Sequence, residues 1–395
     1  MTSANAEEET SSLSRLPRGV WALGFVSLFM DVSSEMIHGL LPVFLTTALG
    51  ASAEMVGLIE GVGEATASIS KLFSGWISDK FAKRKALTVI GYGLGACSKP
   101  LFAVAATPML VLVARFSDRI GKGIRGSPRD AMIADMTPSR RRGAAYGLRQ
   151  ALDTVGAFAG PLIAIALMAS THNDFRLVFW LAFIPGLLSV LVLLFGVREP
   201  ARENSATPDE FGGLKLLGAA YWTIVAVGAV LTLARFSEAF LILRAQTAGL
   251  SPALAPLVLV VMNIVFSASV FPVGALSDRI GRRVMLALGF AVLIGADLVL
   301  AAAPNLPTVM AGVALWGLHL GMTQGLLAAL VADEAPAAAR AIAFGVFNFL
   351  SGAALLAASL IAGALWQTLG PSATFIAGAV FTAAGLIATA ITIRR

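Results

Sequence analysis

The sequence predicts an all-α membrane protein: twelve transmembrane helices in two pseudo-symmetric six-helix bundles. Three observations carry this. First, 57% of the 395 residues are hydrophobic and only 13% charged, with a mean hydropathy of +0.83, where a soluble protein has about 25% charged residues. Second, apolar runs of the ~20 residues a helix needs to cross a bilayer recur along the chain, joined by short connectors such as "GASAE", "THND", "GLSPA", "APNLP" and "LGPS". Third, marks placed in the first half return in the second at a nearly constant distance.

Taken in order, residues 1–14, "MTSANAEEETSSLS", are polar and acidic and lack the basic start and apolar core of a cleavable signal, so they are expected to form a disordered cytoplasmic tail. Residues 15–197 hold six spans, near 19–46, 55–78, 86–106, 108–131, 144–168 and 175–197. The polar stretch "REPARENSATPDEFGGLK", 198–215, is a cytoplasmic linker. Residues 216–395 hold six more spans, near 216–243, 254–276, 284–303, 306–332, 341–366 and 371–393. Lys and Arg gather in alternate connectors: Lys80, Lys83, Arg84 and Lys85, then Arg140 to Arg142, then Arg198, Arg202 and Lys215, then Arg279, Arg282 and Arg283. Only Arg176 and Arg244 stand out on the other side. Positive loops stay inside, so both termini are expected in the cytoplasm, and the protein in the inner membrane of a bacterium. The net charge of +6 follows these loops and gives no reason to expect nucleic acid. A single cysteine, Cys97, excludes an internal disulfide or a thiolate cluster.

Two marks are duplicated. "GWISDKFAKRK" holds Gly75, Asp79 and Arg84; "GALSDRIGRRV" holds Gly274, Asp278 and Arg282, with Asp278 199 residues after Asp79. "IADMTPSRRRGAAYG" holds Asp135, Pro138, Arg142 and Gly147; "LVADEAPAAARAIAFG" holds Asp333, Pro336, Arg340 and Gly345, each 198 residues later. Gly75 and Gly274 would let a neighbouring helix approach closely. Asp79 and Asp278 would pair with a basic residue or face a helix N-terminus.

On "GxxxDKxxKRK" at 75–85, "GxxxDRxGRR" at 274–283, "RFSDRIGKG" from Arg115 and "GAFAGP" from Gly156 to Pro161, the chain resembles the major facilitator superfamily over nearly its whole length. The last motif is similar to that of the exporting, proton-antiporting branch. The resemblance implies secondary transport by alternating access, a monomer, and a gating role for Gly75, Asp79, Arg84, Asp135, Arg142, Gly274, Asp278, Arg282, Asp333 and Arg340. It also implies that spans one, four, seven and ten line the pathway, which would bring Asp31, Glu35, His38, Arg115, Arg119, Arg235, Glu238 and His319 to it.

Ionisable residues inside spans are costly and so are paired, cavity-facing or functional. Asp31, Glu35 and His38 share a face of span one at i, i+4 and i+7. Asp31 and Glu35 are the first candidates for a proton-coupling site, with Glu238 in span seven as a third; neutralisation by basic residues elsewhere is the alternative. Arg115, Arg119 and Lys122 lie on one face of span four and would repel unless met by carboxylates or an anionic ligand. Arg149 and Asp153 in span five stand at i, i+4 and can pair within the helix. Glu60, Glu64 and Lys71 form a stripe in span two, while Lys99 and Asp297 stand isolated. His38, Arg115, Arg119, Lys122, Arg149, Asp153, Arg235, His319 and Gln324 are the candidate solute contacts. An internal ion-pair network is the alternative for the whole set.

The leading function is therefore proton-coupled efflux of a small anionic or zwitterionic organic solute, with proton-coupled uptake of an organic anion as an alternative. Export of a divalent metal through His38, His319 and the span-one carboxylates is another. A non-transporting receptor would have no use for the buried charges, and a membrane enzyme would need a nucleophile and base that cannot be assembled from these residues. "GKGIRG", 121–126, lacks the GxxxxGK[ST] pattern of a phosphate loop, and no cofactor is implied.

Overall fold

The computed structural model describes residues 16–81, 83–199, 216–336 and 340–392. For helical residues 75–81, 278, 282, 283, 325, 328, 329, 332, 340, 341 and 388–392 it describes the backbone only. The expected tail, most of the linker, and the side chains of Asp79, Asp278, Arg282 and Arg340, with Gly75, lie outside the described residues.

Thirteen helices of nine residues or more run through the described chain, with no strand among them. The first half contains α1 (Arg18–His38), α2 (Ala53–Phe81), α3 (Arg84–Val104), α4 (Pro108–Met136), α5 (Arg142–Ser170) and α6 (Phe175–Gly196). The second contains α7 (Ala219–Leu233), α8 (Ala239–Thr247), α9 (Leu257–Ile280), α10 (Arg282–Ala302), α11 (Leu306–Glu334), α12 (Arg340–Leu369) and α13 (Pro371–Thr392). Each expected span contains a helix, and eight helical stretches are long and apolar enough to cross a bilayer.

The starts are set by local chemistry. Thr107 caps α4 by accepting from Leu110 N–H, with Pro108 in the first turn; Asp174 caps α6 from Leu177 N–H; Asn305 caps α11 from Thr308 N–H. Between α9 and α10 the chain turns on Gly281, whose φ of +91° suits a residue without a side chain, and its N–H bonds Ser277 O. That turn is the physical reason for the glycine in "DRIGRR".

Span seven is not one helix, contrary to the expectation of a continuous run over 216–243. It stops after Leu233, passes through Ala234–Glu238 and restarts as α8. Arg235 and Glu238 lie in this break, and Ser237 Oγ accepts from Ala239 N–H at its exit. Span one is interrupted at the matching place: α1 ends at His38, and the chain turns through Gly39 and Leu40 into Leu41–Val43 and a wide turn over Phe44–Ala48. Interrupted helices at corresponding places in two repeats are a feature of secondary transporters.

The chain packs as two compact units, residues 1–38 with 69–207 and residues 39–68 with 208–395. In the first, Leu16, Val20, Leu23, Val26, Met30, Tyr92, Met132 and Leu193 form a buried core. In the second, Leu231, Met285, Leu286 and Phe290 form one cluster and Tyr221, Val225 and Val331 another. α8 packs on the Leu41–Val43 turn.

The repetition extends to packing contacts inside each unit. Gly91 on α3 meets Arg125 of α4, and Gly289 on α10 meets Thr323 of α11, both members displaced by 198 residues. The caps Thr107 and Asn305 are displaced by the same 198.

Candidate functional site: a charged cluster in the first unit

α1 and α5 cross closely, and glycines make the crossing possible. A Cβ on Gly156 would stand 2.8 Å from Leu28 O and 2.9 Å from Asp31 Cβ; one on Gly160 would stand 2.7 Å from Glu35 Cβ and 2.9 Å from Val32 O. Small residues four apart on one face let two backbones meet. The two glycines of "GAFAGP" are thus the surface on which Asp31 and Glu35 are seated. Glu35 also reaches His38, with Oε2 3.5 Å from Nδ1.

The cations facing these carboxylates come from α4. Lys122 and Arg125 act electrostatically on Asp31, as do Lys122 and Arg119 on Glu35. Arg115 and Arg119 are buried, whereas Lys122 is exposed. The stripe does not end at Lys122: Arg125 and Arg129 continue it at i+10 and i+14 from Arg115. Arg125 lies over the Tyr92 ring, 4.8 Å from its centre. Arg129 donates to Ser27 Oγ at 2.9 Å and to Tyr92 Oη at 3.3 Å. The sequence pairs Arg129 only with Asp130 and Asp135 at the cytoplasmic end, and Arg125 lies hidden in the weak "GKGIRG" pattern; helical spacing puts both on the Arg115 face.

Lys99 is not isolated, contrary to expectation. Its Nζ lies 2.7 Å from Asp118 Oδ1 and 3.1 Å from Ser34 Oγ, with both members of the ion pair buried. α3 is the helix packed most extensively on α4, which explains how residues 19 apart in sequence meet. Arg149 Nη1 and Asp153 Oδ2 lie 2.5 Å apart within α5, the pairing their spacing allows, and Asp153 acts electrostatically on Asp31.

Toward the end of α4, Arg84 pairs with Asp135, joining the first duplicated mark to the second. Asp130 takes Arg129 at 3.0 Å and Arg149 at 3.9 Å. Arg142 is exposed at the start of α5.

The second unit is sparser. Arg235 and Glu238 interact across the break, and Arg235 acts on His319. His319 is fully buried, its Nδ1 2.8 Å from Gly289 O, between Phe290 and Trp316. It is held as a core histidine. Gln324 and Asp333 are exposed. Among the described residues, a Cβ on Gly274 would meet nothing within 4 Å. The close approaches in this unit fall instead at Gly317 and Gly321, which face Met262 and Ser269 of α9. Among the described residues no three His, Cys, Asp or Glu side chains converge as a metal set requires.

The Major Facilitator Superfamily model matches residues 23–243 and again 216–395. An uncharacterized MFS-type transporter of Methanocaldococcus jannaschii is 32% identical over 94% of both chains. An uncharacterized protein of Mycobacterium tuberculosis is 28% identical over 89% of this chain and 87% of its own. The multidrug resistance protein MdtH of Yersinia pestis is 28% identical over 41% of this chain and 39% of its own. Among solved structures, a bacterial homologue of the human lysosomal transporter Spinster, inward-facing and occupied, superposes with a TM-score of 0.78 at 17% identity, covering 95% of this chain and 96% of that one. A POT family transporter in complex with 5-aminolevulinic acid gives 0.78 at 14% identity, over 95% and 96%. With a duplicated six-span plan, paired marks and a charged interior, this integral membrane protein is a secondary transporter rather than an enzyme, and it belongs to the Major Facilitator Superfamily.

Proposed function

We propose that the protein exports a small organic solute carrying an anionic group, as an anion or a zwitterion, in exchange for protons. The carrying observation is the opposition of Asp31 and Glu35, seated on Gly156 and Gly160, to Lys122, Arg119 and Arg125 of α4. Each carboxylate here has two competitors, a proton and a cationic group. A zwitterion would bind with its anion on the α4 cations and its ammonium on Asp31 or Glu35. A proton arriving on that carboxylate removes the ammonium's partner, so proton and solute exclude one another, which is the requirement for exchange. The partial likeness to MdtH of Yersinia pestis supports export. The location we assign is the inner membrane of a bacterium, with a monomer as the working unit and both termini inside, on the bias of Lys and Arg.

The test is flux in proteoliposomes under an imposed pH gradient, using radiolabelled amino-acid-like zwitterions and organic anions. The expected result is gradient-driven flux that Asp31→Asn with Glu35→Gln abolishes, together with weakened zwitterion exchange without a gradient, since the ammonium loses its partner. Undiminished gradient-driven flux in the double variant removes these residues as the proton site.

The row Arg115, Arg119, Lys122, Arg125 and Arg129 favours a second reading for a plain anion. Protonation of Asp31 or Glu35 would then release a cation for the solute, so proton and anion would bind together and travel inward. The direction of proton movement during flux separates the two readings.

A further inference from the structure

The 198-residue repeat relates the Lys99–Asp118 pair of the first unit to Asp297 and Trp316 in the second. Position by position, the lysine has become an aspartate and the aspartate a tryptophan. The contact survives: Asp297 on α10 and Trp316 on α11 are neighbours, and both are buried, Asp297 completely. The cation does not survive. Among the described residues neither carboxylate oxygen of Asp297 finds a hydrogen-bond partner, and Trp316 Nε1 stands near without reaching hydrogen-bond geometry.

The neighbours of Asp297 include Gly378 and Trp316. From α13, Gly378 lies so close that a Cβ on it would be 2.6 Å from Asp297 Oδ2 and 3.1 Å from the Phe236 ring. Phe236 from the break in span seven packs on Trp316 and Phe375. α7 and α13 carry no charged residue, and α9, α10 and α12 carry theirs at or near their ends, Asp297 excepted. Among the described residues, the other ionisable groups toward the interior of this unit are Arg235 and Glu238, which act on each other, His319, which is held by Gly289 O, Arg244 on α8, which donates to Leu300 O and Ala303 O at the end of α10, and Glu60 and Glu64 on α2. None of these acts on Asp297. An ionised carboxylate taken from water without a partner is very costly, and such groups are neutral or paired.

We infer that Asp297 carries a proton in this conformation and is a second proton-binding site of the protein, loaded while α10, α11 and α13 are packed and emptied when that packing opens to water. The inference rests on the proton-coupled reading above for its role in transport, but the occupancy of the site does not.

Infrared difference spectroscopy on the purified full-length protein at neutral pH, with carboxyl-labelled aspartate, tests the occupancy. The expected result is a protonated-carboxyl C=O band that shifts with the label and disappears in Asp297→Asn, which has the same shape and no proton to lose. A spectrum identical in both proteins shows Asp297 ionised and overturns the inference. The label shift in the unsubstituted protein must also appear, so a misfolded variant cannot decide the matter. In proteoliposomes, Asp297→Asn should lower the number of protons moved per solute while exchange without a gradient persists. An unchanged ratio makes the proton structural and overturns the coupling role. If the unsubstituted protein moves no protons at all, the transport reading fails, and the spectroscopic result stands apart from it.

Discussion

The Lys99–Asp118 pair makes a sharp claim about how the first unit is held. At 2.7 Å, two unit charges attract by about 6 kcal/mol at an effective dielectric constant near 20, and burying them costs several kcal/mol per ion. The intact pair is therefore worth little against an apolar replacement, but either ion left alone is expensive, at about 3–5 kcal/mol. The surroundings break the tie between the two. Arg119 and Arg125 lie close enough to act on both groups. Lys99→Met leaves Asp118 with these two arginines and should fall near 3 kcal/mol. Asp118→Leu leaves Lys99 among cations and should fall near 5 kcal/mol. The double variant should recover more than half of either loss. At about 2–4 °C per kcal/mol for a unit of this size, the first variant should lower the apparent melting temperature in detergent by about 6–12 °C and the second by more. Fluorescence thermal-shift measurement on purified protein reads this directly. Losses within ~0.5 kcal/mol for both variants, typical of surface sites, or additive losses in the double variant, would refute the reasoning.

Other outcomes follow from the same geometry. Gly160→Ala should destabilise by about 1–3 kcal/mol, because its Cβ would overlap Glu35 Cβ and Val32 O, and it should also reduce flux by moving Glu35; a thermal shift and a transport assay check both. Gly147→Ala, where a Cβ would meet nothing within 4 Å, should be neutral or stabilising by up to ~1 kcal/mol through helix propensity, and a melting curve indistinguishable from that of Gly160→Ala would contradict the packing account. Arg84→Asp and Asp135→Arg should each slow transport, and together restore it, if their pairing rather than each charge alone is what counts; initial rates of flux measure this. Ser237→Pro should extend the break in span seven at a cost of about 1 kcal/mol, the loss of the Ser237 Oγ acceptor for Ala239 N–H, whereas Leu231→Pro inside α7 should cost ~3 kcal/mol or more.

Much of the architecture is legible in the sequence because lipid leaves few alternatives to an apolar helix. The expected spans near 108–131, 144–168 and 175–197 correspond to α4, α5 and α6 with ends shifted by at most five residues. Asp31, Glu35 and His38 share their face, and Arg149 finds Asp153, because spacing within one helix is enough to determine both. What spacing cannot supply is which face meets which neighbour. The Lys99–Asp118 and Arg84–Asp135 pairs depend on how α3 crosses α4, and the seat of Asp31 and Glu35 depends on how α1 crosses α5. The break at Ala234–Glu238 is hidden for a different reason: "LARFSEAF" contains neither Gly nor Pro. The helix yields where Arg235, Ser237 and Glu238 follow one another closely, and buried Phe236 and Phe240 hold the interruption in place.

The charges on α4 bear on how the protein is made. α4 is not one of the eight stretches apolar enough to enter a bilayer unaided, and Arg115, Asp118 and Arg119 would each cost about 2.5–3.5 kcal/mol at mid-membrane on insertion scales. The preceding helix, α3, does qualify, and it arrives at the translocon first, already bearing Lys99. A hairpin in which Lys99 meets Asp118 could leave the channel as a neutralised couple. Biogenesis would then depend on the same contact that fixes the finished unit, and cells should show defects at Lys99 first as missing protein rather than as idle transporter.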